Sequence, residues 1–165
     1  MQENPVITFL EQHGILFTLH RFEYQAGGGT NRSSSMLGVS EHSVVKTLVF
    51  QDHMRRPLLV LMHGDKSVDA ARLAEQIGVP KIWSCSPADA ELMSGWPVGA
   101  TNPFVLKTSM PIYLESSVLD LPKMFINGGG RGCLVGMTPT DLLGLVKPSL
   151  VRCAKDKAVV VSKAP

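Results

Sequence analysis

The stretch Ser43-Val44-Val45-Lys46-Thr47-Leu48-Val49-Phe50, "SVVKTLVF" (residues 43–50), decides how the chain folds. Val44, Val45, Leu48, Val49 and Phe50 are residue types that favour a pleated, half-buried strand. Lys46 interrupts them. Side chains alternate across a strand, so register alone would let Lys46 point to water. The rest of the sequence determines whether that ordinary reading suffices.

Downstream, "PLLVLMHG" (57–64) reads as a second strand, joined to the first by the polar, hairpin-length loop "QDHMRR" (51–56). "SVDAARLAEQIG" (67–78) is the strongest helical pattern: Asp69 or Ser67 caps it, Leu73 and Ile77 lie four apart, and Gly78 stops it. "VPKIWSC" (79–85) is a short strand, and "SPADAELMSG" (86–95) a helix opened by Ser86 before Pro87. Upstream, "NPVITFLEQHG" (4–14) carries a cap at Asn4, proline at the first helical position and Gly14 past the end. "ILFTLHRF" (15–22) reads as a strand with Phe17 and Leu19 on one face. "YQAGGGTNRSSS" (24–35) reads as a flexible loop before a short helix ending at Gly38; it lacks the Gly-Lys-Ser/Thr of a phosphate-binding P-loop.

Beyond residue 95 the pattern loosens. "WPVGATNPFV" (96–105) holds two prolines and a glycine and is irregular. "MPIYLESSVLDLP" (110–122) and "KMFINGG" (123–129) contain strand-like pieces, and "GGGRG" (128–132) turns into the strand "CLVGM" (133–137). "TPTDLLGLV" (138–146) is a last helix with capping-box spacing between Thr138 and Asp141. The tail from Pro148 matches no template, although "AVVV" (158–161) suits an edge strand. No repeat or linker divides the 165 residues, so a single domain spanning 1–165 is expected. Strands outnumber helices without a strict βαβ rhythm. The expected fold class is α/β (α+β), a mixed sheet curled toward a barrel with helices outside.

Bulk properties exclude several functions. Hydrophobic content of 44% and charged content of 18% describe a globular protein, and a net charge of +2 is too small to predict nucleic-acid binding by itself. Cys85, Cys133 and Cys153 are odd in number and far apart, without CxxC or zinc-ligand spacing, so neither a disulfide framework nor a metal site is expected. No signal peptide is evident, and no run approaches the ~18 apolar residues of a membrane helix. A cytoplasmic protein without membrane attachment is expected. G-x-S-x-G is absent, and His13, His20, His42, His53 and His63 are scattered without HExxH spacing. His20, at the end of a strand near the first glycine loop, is the histidine of most interest.

Three features remain: a lysine in an apolar strand, the loop "GWPVGATNP" (95–103), and the turn "NGGGRG" (127–132) with its single arginine. Glycine- and proline-rich loops bring backbone N–H and C=O groups rigidly against a ligand. With Lys46 and Arg131 nearby they suit a small ligand bearing a phosphate or carbonyl oxygen.

The segments "SEHSVVKTLVF", "VLMHGDKSVDAARLAEQIG", "GWPVGATNPFVL" and "FINGGGRGCLVGMTPTDLL", in this order and spacing, resemble the YbaK/prolyl-tRNA-synthetase-associated family. The resemblance covers residues 5–146. Its marks are the strand lysine, Lys46; the Gly-x-x-x-Pro loop, Gly99-Ala100-Thr101-Asn102-Pro103; and the glycine turn from Asn127 through Gly128, Gly129 and Arg131 to Gly132. The resemblance implies a compact domain around a mixed, barrel-like sheet. It implies a free-standing hydrolase that cleaves the ester of a mischarged aminoacyl-tRNA at its 3′ end, with no metal, no cofactor and no covalent nucleophile. Lys46 would be the catalytic residue, acting as a cation toward a phosphate or holding the ester. The Gly99–Pro103 loop would offer N–H groups to the aminoacyl carbonyl, with His20, Phe22, Asn127, Gly128, Gly129 and Arg131 completing the substrate site. A synthetase such as prolyl-tRNA synthetase is the implied partner.

The chain departs from the family pattern at Ala100-Thr101-Asn102, which is bulkier than in the cysteinyl-tRNA deacylase branch. It departs again at Phe22, where some members carry tyrosine, and at Asn127, where some carry serine. A small edited amino acid, such as cysteine or alanine on tRNA(Pro), is expected. The alternative is a non-catalytic module that binds an acceptor end or a synthetase.

Overall fold

The computed structural model describes residues 3–158. Helix α1 (Pro5–Gln12) begins where Asn4 Oδ1 accepts from the N–H groups of Val6 and Ile7, and buries Val6 and Leu10. Strand β1 (Thr18–Arg21) follows, then helix α2 (Gly29–Leu37), closed by Gly38 at φ 68°. Here the structure corrects the sequence reading. Most of the stretch taken as a glycine–serine loop is helix, although its residues are weak helix formers. Tertiary contacts hold it: Arg32 donates twice to the Glu23 carbonyl, Ser34 is buried, and Thr30 Oγ1 lies 2.8 Å from Glu41 Oε1 and 3.1 Å from the Gly64 carbonyl.

β2 (Val44–Asp52) and β3 (Pro57–His63) form an antiparallel hairpin, with Lys46 opposite Met62 and Thr47 opposite Leu61. Asp52 shapes its turn by accepting from the N–H groups of Met54 and Arg56. β4 (Lys66–Val68) leads to α3 (Ala70–Ile77), capped by Asp69, since Ser67 belongs to the strand. β5 (Ile82–Ser84) and α4 (Pro87–Ser94) precede the irregular proline–glycine segment. β6 (Ile112–Glu115), a 3-10 turn over Ser116–Asp120, β7 (Met124–Asn127), β8 (Cys133–Met137) and α5 (Pro139–Val146) complete the expected elements. The tail, unassigned from sequence, adds β9 (Ser149–Val151) along β6 and β10 (Ala154–Asp156) along β4. The edge strand expected over 158–161 falls at Val159–Val161 outside the described residues.

Eight strands form one mixed sheet in the order β1-β8-β7-β2-β3-β6-β9, with β5 also on β2; the ladders follow an open path among the described residues. β2 separates two cores. Val45 and Leu61 pack with Val6, Leu10, Leu114 and Ile126 on one side. Phe50, Leu58, Val60 and Met62 pack with Leu73 and Ala74 of α3 on the other. By alternation Val44, Lys46, Leu48 and Phe50 share this second face, so Lys46 interrupts an otherwise apolar row.

The pairing of β2 is what creates a site. Along one edge β3 pairs throughout. Along the other, β7 takes only Val44 and Val45, in parallel, while β5 takes only Phe50 to Asp52, antiparallel. Between them the edge of β2 has no strand partner among the described residues.

Candidate active site

Which backbone groups face that gap follows from register. Gly64 N–H donates to the Val44 carbonyl, so residues 44, 46, 48 and 50 turn their backbone groups toward β3. Residues 45, 47 and 49 turn theirs the other way. Val45 meets β7, and the Val49 carbonyl accepts from Cys85 N–H. Thr47 alone of the three presents its N–H and C=O to the gap. Its side-chain Oγ1 is also buried without a hydrogen-bond partner among the described residues. A buried polar group in that state is uncommon in a native structure and marks a place worth explaining.

A cavity of about 310 Å³ opens at this gap, lined among others by Phe22, Tyr24, Thr30, Lys46, Thr47, Gly99, Thr101 and Asn127. Its volume is at the lower end of the roughly 300–1,000 Å³ of small-ligand sites. Lys46 is half-buried, and its Nζ lies 3.5 Å from the Gly64 carbonyl, a contact at the outer limit of a hydrogen bond. The ammonium therefore retains donors for a ligand. Burial pushes its pKa below the ordinary lysine value and Lys157 adds to this, while Glu41 and Asp65 oppose it.

Asn127 joins the two loops. Its Nδ2 donates to the carbonyls of Gly99 (2.7 Å) and Gly130 (3.0 Å), and its Oδ1 accepts from the N–H groups of Gly129 and Gly130. Asn4, the cap of α1, donates to the Gly128 carbonyl beneath the turn. Gly99 has φ 91°, and a Cβ there would lie 2.7 Å from the Tyr24 ring; a Cβ on Gly132 would lie 2.2 Å from the Phe22 carbonyl oxygen. Both glycines are thus required by close approach as well as by backbone angle.

The residues expected in the site from sequence divide into two groups. Lys46, Gly99, Thr101, Phe22 and Asn127 line the cavity together. Asn102 is fully buried and braces the loop from within: its Oδ1 accepts from Phe104 and Val105 N–H and its Nδ2 donates to the Ala100 carbonyl. Ala100 and Pro103 are buried beside it. Arg131 donates to the Val98 carbonyl and stacks 5.0 Å over the Tyr24 ring, clamping the rim. Gly128 and Gly129 form the turn under the cavity. His20 lies outside, against Phe125 and bonded to Thr18. Sequence reading missed Tyr24, Thr30 and Thr47. Tyr24 and Thr30 lie in or beside the stretch read as slack loop, and Thr47 is marked out only by the pairing of its strand.

His42, His63 and Asp65 place one potential ligand atom each within 4.8 Å of one another. The two imidazoles are stacked at 3.7 Å and 8°, so their lone pairs run side by side rather than converging. Both nitrogens of His63 are engaged, by the His42 carbonyl and Ser117 Oγ, and His42 Nδ1 by Asp65. This is the geometry of a hydrogen-bond network.

Comparison with known proteins agrees with this architecture. The chain is 23% identical over 145 residues to a protein of Enterococcus faecalis provisionally named a Cys-tRNA(Pro)/Cys-tRNA(Cys) deacylase, EbsC, covering 87% of this chain and 88% of that one. It is 23% identical over 150 residues to the multifunctional Ser/Thr-tRNA deacylase ProXp-y of Escherichia coli K12, covering 88% and 89%. A crystal structure provisionally described as a trans-editing enzyme for prolyl tRNA synthetase superposes with a TM-score of 0.76 at 22% identity, covering 93% of this chain and 99% of that one. The sequence pattern of the aminoacyl-tRNA editing domain matches residues 30–145, which contain β2, the open edge beside Thr47 and both glycine loops, and the chain belongs to that family.

Proposed function

We propose that the protein is a free-standing deacylase that hydrolyses the ester of mischarged aminoacyl-tRNA in the cytoplasm. The observation that carries the reading is the open edge of β2: Thr47 N–H and C=O, an available ammonium at Lys46 and a rigid glycine loop face one cavity. An aminoacyl ester offers a complementary set. Its α-ammonium is a donor for the Thr47 carbonyl, its ester carbonyl an acceptor for an N–H, and the adjoining phosphate a partner for Lys46.

In the loop, Ala100 N–H is spent on the Pro97 carbonyl. The N–H groups of Gly99 and Thr101 have no partner among the described residues, which makes them the donors for a tetrahedral oxyanion. The substrate is an activated ester, so orientation of water and oxyanion stabilisation supply the needed catalysis without a covalent nucleophile. Burial raises the pKa of all three cysteines, that of Cys153 to about 12, which supports a thiol-independent reaction.

The edited amino acid is small, since the terminal ribose must share the cavity with the aminoacyl group and Tyr24 and Thr101 narrow it. Cysteine, alanine, serine and threonine fall in this class, and a prolyl-tRNA synthetase is the partner that would generate the substrates. Deacylation of a panel of mischarged tRNAs, with Lys46→Ala as control, tests the proposal. Turnover of at least one small-residue species that depends on Lys46 is expected. Tight binding of acceptor ends with no turnover would replace it with the binding-module reading.

A further inference from the structure

Behind the cavity wall lies a chain of buried polar groups that the proposed reaction does not use. His63 is fully buried at the end of β3. Its Nδ1 lies 2.7 Å from the His42 carbonyl and its Nε2 2.8 Å from Ser117 Oγ. Ser117 Oγ lies in turn 2.7 Å from Oε2 of the buried Glu115. The remaining sites on Glu115 are filled: Oε2 also accepts from Ser117 N–H, and Oε1 from the N–H groups of Cys153 and Ala154.

The protons of this chain can be counted. A carbonyl only accepts, so His63 Nδ1 carries a proton. A carboxylate holding four donors is strongly favoured in its ionised form. Burial raises the Glu115 pKa, but its bonds to Ser117, Cys153 and Ala154 outweigh burial and leave it below the ordinary value. With Glu115 ionised, the Ser117 hydroxyl spends its one proton on Oε2. The contact between Ser117 Oγ and His63 Nε2 then needs a proton from the ring.

We propose that His63 is held as an imidazolium by Ser117 and Glu115, and that this proton makes it a positioning residue for Lys46. The mechanical link is short. His63 is followed by Gly64, whose N–H bonds the Val44 carbonyl and whose own carbonyl faces both Thr30 Oγ1 and Lys46 Nζ. Deprotonation breaks the hold on Ser117 and releases the turn on which Lys46 rests.

Burial opposes this assignment. It drives His63 toward the neutral form, as does the stacked His42, and together they outweigh the bond to the His42 carbonyl and the charges of Asp65 and Glu115, so that solvation and charge alone would hold the ring below the ordinary histidine value. Hydrogen-bond direction argues the other way, because a neutral ring leaves the two bond-length contacts of Ser117 Oγ with one proton between them. A buried contact of bond length with no proton in it sets two lone pairs against each other, which a proton on Nε2 removes.

The positioning role rests on the deacylase reading; the protonation does not, and the test separates them. Nitrogen spectra of histidine-labelled protein report each ring nitrogen directly. At pH 7.5, where an ordinary histidine of pKa about 6.5 is mostly neutral, both His63 nitrogens are expected to carry protons. Ser117→Ala should remove the Nε2 proton and shift the Gly64 amide and Lys46 side-chain resonances, while Ser117→Thr, which keeps the hydroxyl, should preserve all three. Glu115→Gln should also discharge the ring; if that variant does not fold, the two Ser117 variants suffice. A bare Nε2 in the unaltered protein, or an unchanged one in Ser117→Ala, overturns the assignment. In deacylation, Ser117→Ala should lower kcat several-fold and alter the pH profile, with Ser117→Thr restoring both. Wild-type rate and profile in Ser117→Ala would overturn the positioning role while leaving the deacylase intact. Absence of hydrolysis by the unaltered protein would overturn the deacylase reading, and the positioning role with it, while the spectra still decide the protonation.

Discussion

Lys46 is a cation set into an apolar strand, with buried Val44 and Val45 before it. Behind it on the same face are Leu48 and Phe50, and ahead are Glu41, Asp65 and the Gly64 carbonyl. It is buried enough for its charge to act through a lowered dielectric, yet no ion pair among the described residues consumes it. Replacing it with alanine should reduce single-turnover deacylation at least about tenfold, equivalent to roughly 1.4 kcal/mol of barrier. Its lowered pKa has a further consequence: the ammonium is lost on the alkaline side sooner than an ordinary lysine, which titrates near 10.4. The rate attributable to Lys46 should fall as pH rises through that lowered value. Comparing pH profiles of the native enzyme and Lys46→Ala isolates this limb, and a rate insensitive to alkaline pH would remove the cation from the mechanism.

The Gly99–Pro103 loop works as an element because its interior is fixed separately from its cavity face. Asn102 occupies the inside, where it replaces missing backbone partners for Phe104 and Val105. Asn102→Ala orphans both N–H groups and should destabilise the fold by about 1–3 kcal/mol, visible as a lower denaturant midpoint with unchanged slope. Gly99→Ala acts differently. It sets a Cβ against the Tyr24 ring at a positive φ, and so displaces the wall of the cavity itself. Deacylation should drop by an order of magnitude or more, about 1.4 kcal/mol or above, while thermal stability falls only modestly. An active Gly99→Ala would mean that the close approach of Tyr24 is not needed for function.

Across the whole molecule, two depressed carboxylates tie the sheet to its peripheral turns. Asp52 closes the β2–β3 hairpin through Arg56 and Met54, and Glu115 tethers the tail through Cys153 and Ala154. Burial raises both pKa values, but these bonds prevail and leave them below the ordinary carboxylate range. Their stabilisation is present above the unfolded value, near 4, and is lost as pH falls through the folded values. Thermal unfolding should therefore move to lower temperature as pH falls below about 4, and the acid limb should flatten in Asp52→Asn. A second expectation concerns chemistry carried by the whole chain: chelator treatment and simultaneous replacement of Cys85, Cys133 and Cys153 by alanine should leave the deacylation rate per folded molecule unchanged. A loss in either would require a metal or thiol step.

Local pattern was enough to place most of the elements. The caps at Asn4, Asp69, Ser86 and Thr138, the stops at Gly38, Gly78 and Gly95, and the alternation of "SVVKTLVF" are short-range signals, and each marks its element in the structure. The order of Lys46, the Gly99 loop and the Asn127 turn likewise picked out segments that line one cavity. Local pattern failed where stability comes from distant partners. Helix α2 is written in glycine and serine and is held by Glu23, Glu41 and Gly64, while β9 and β10 are three-residue strands that exist because β6 and β4 offer edges. Sequence also could not foresee the partners of Asn102 and Arg131: Asn102 satisfies backbone groups of its own loop, and Arg131 donates across to the Val98 carbonyl of the neighbouring loop. The open edge beside the cavity was the least legible feature of all. Thr47 is an ordinary strand residue until β7 pairs below it and β5 above it, because an unpaired backbone group belongs to the pairing of three strands and to no single segment.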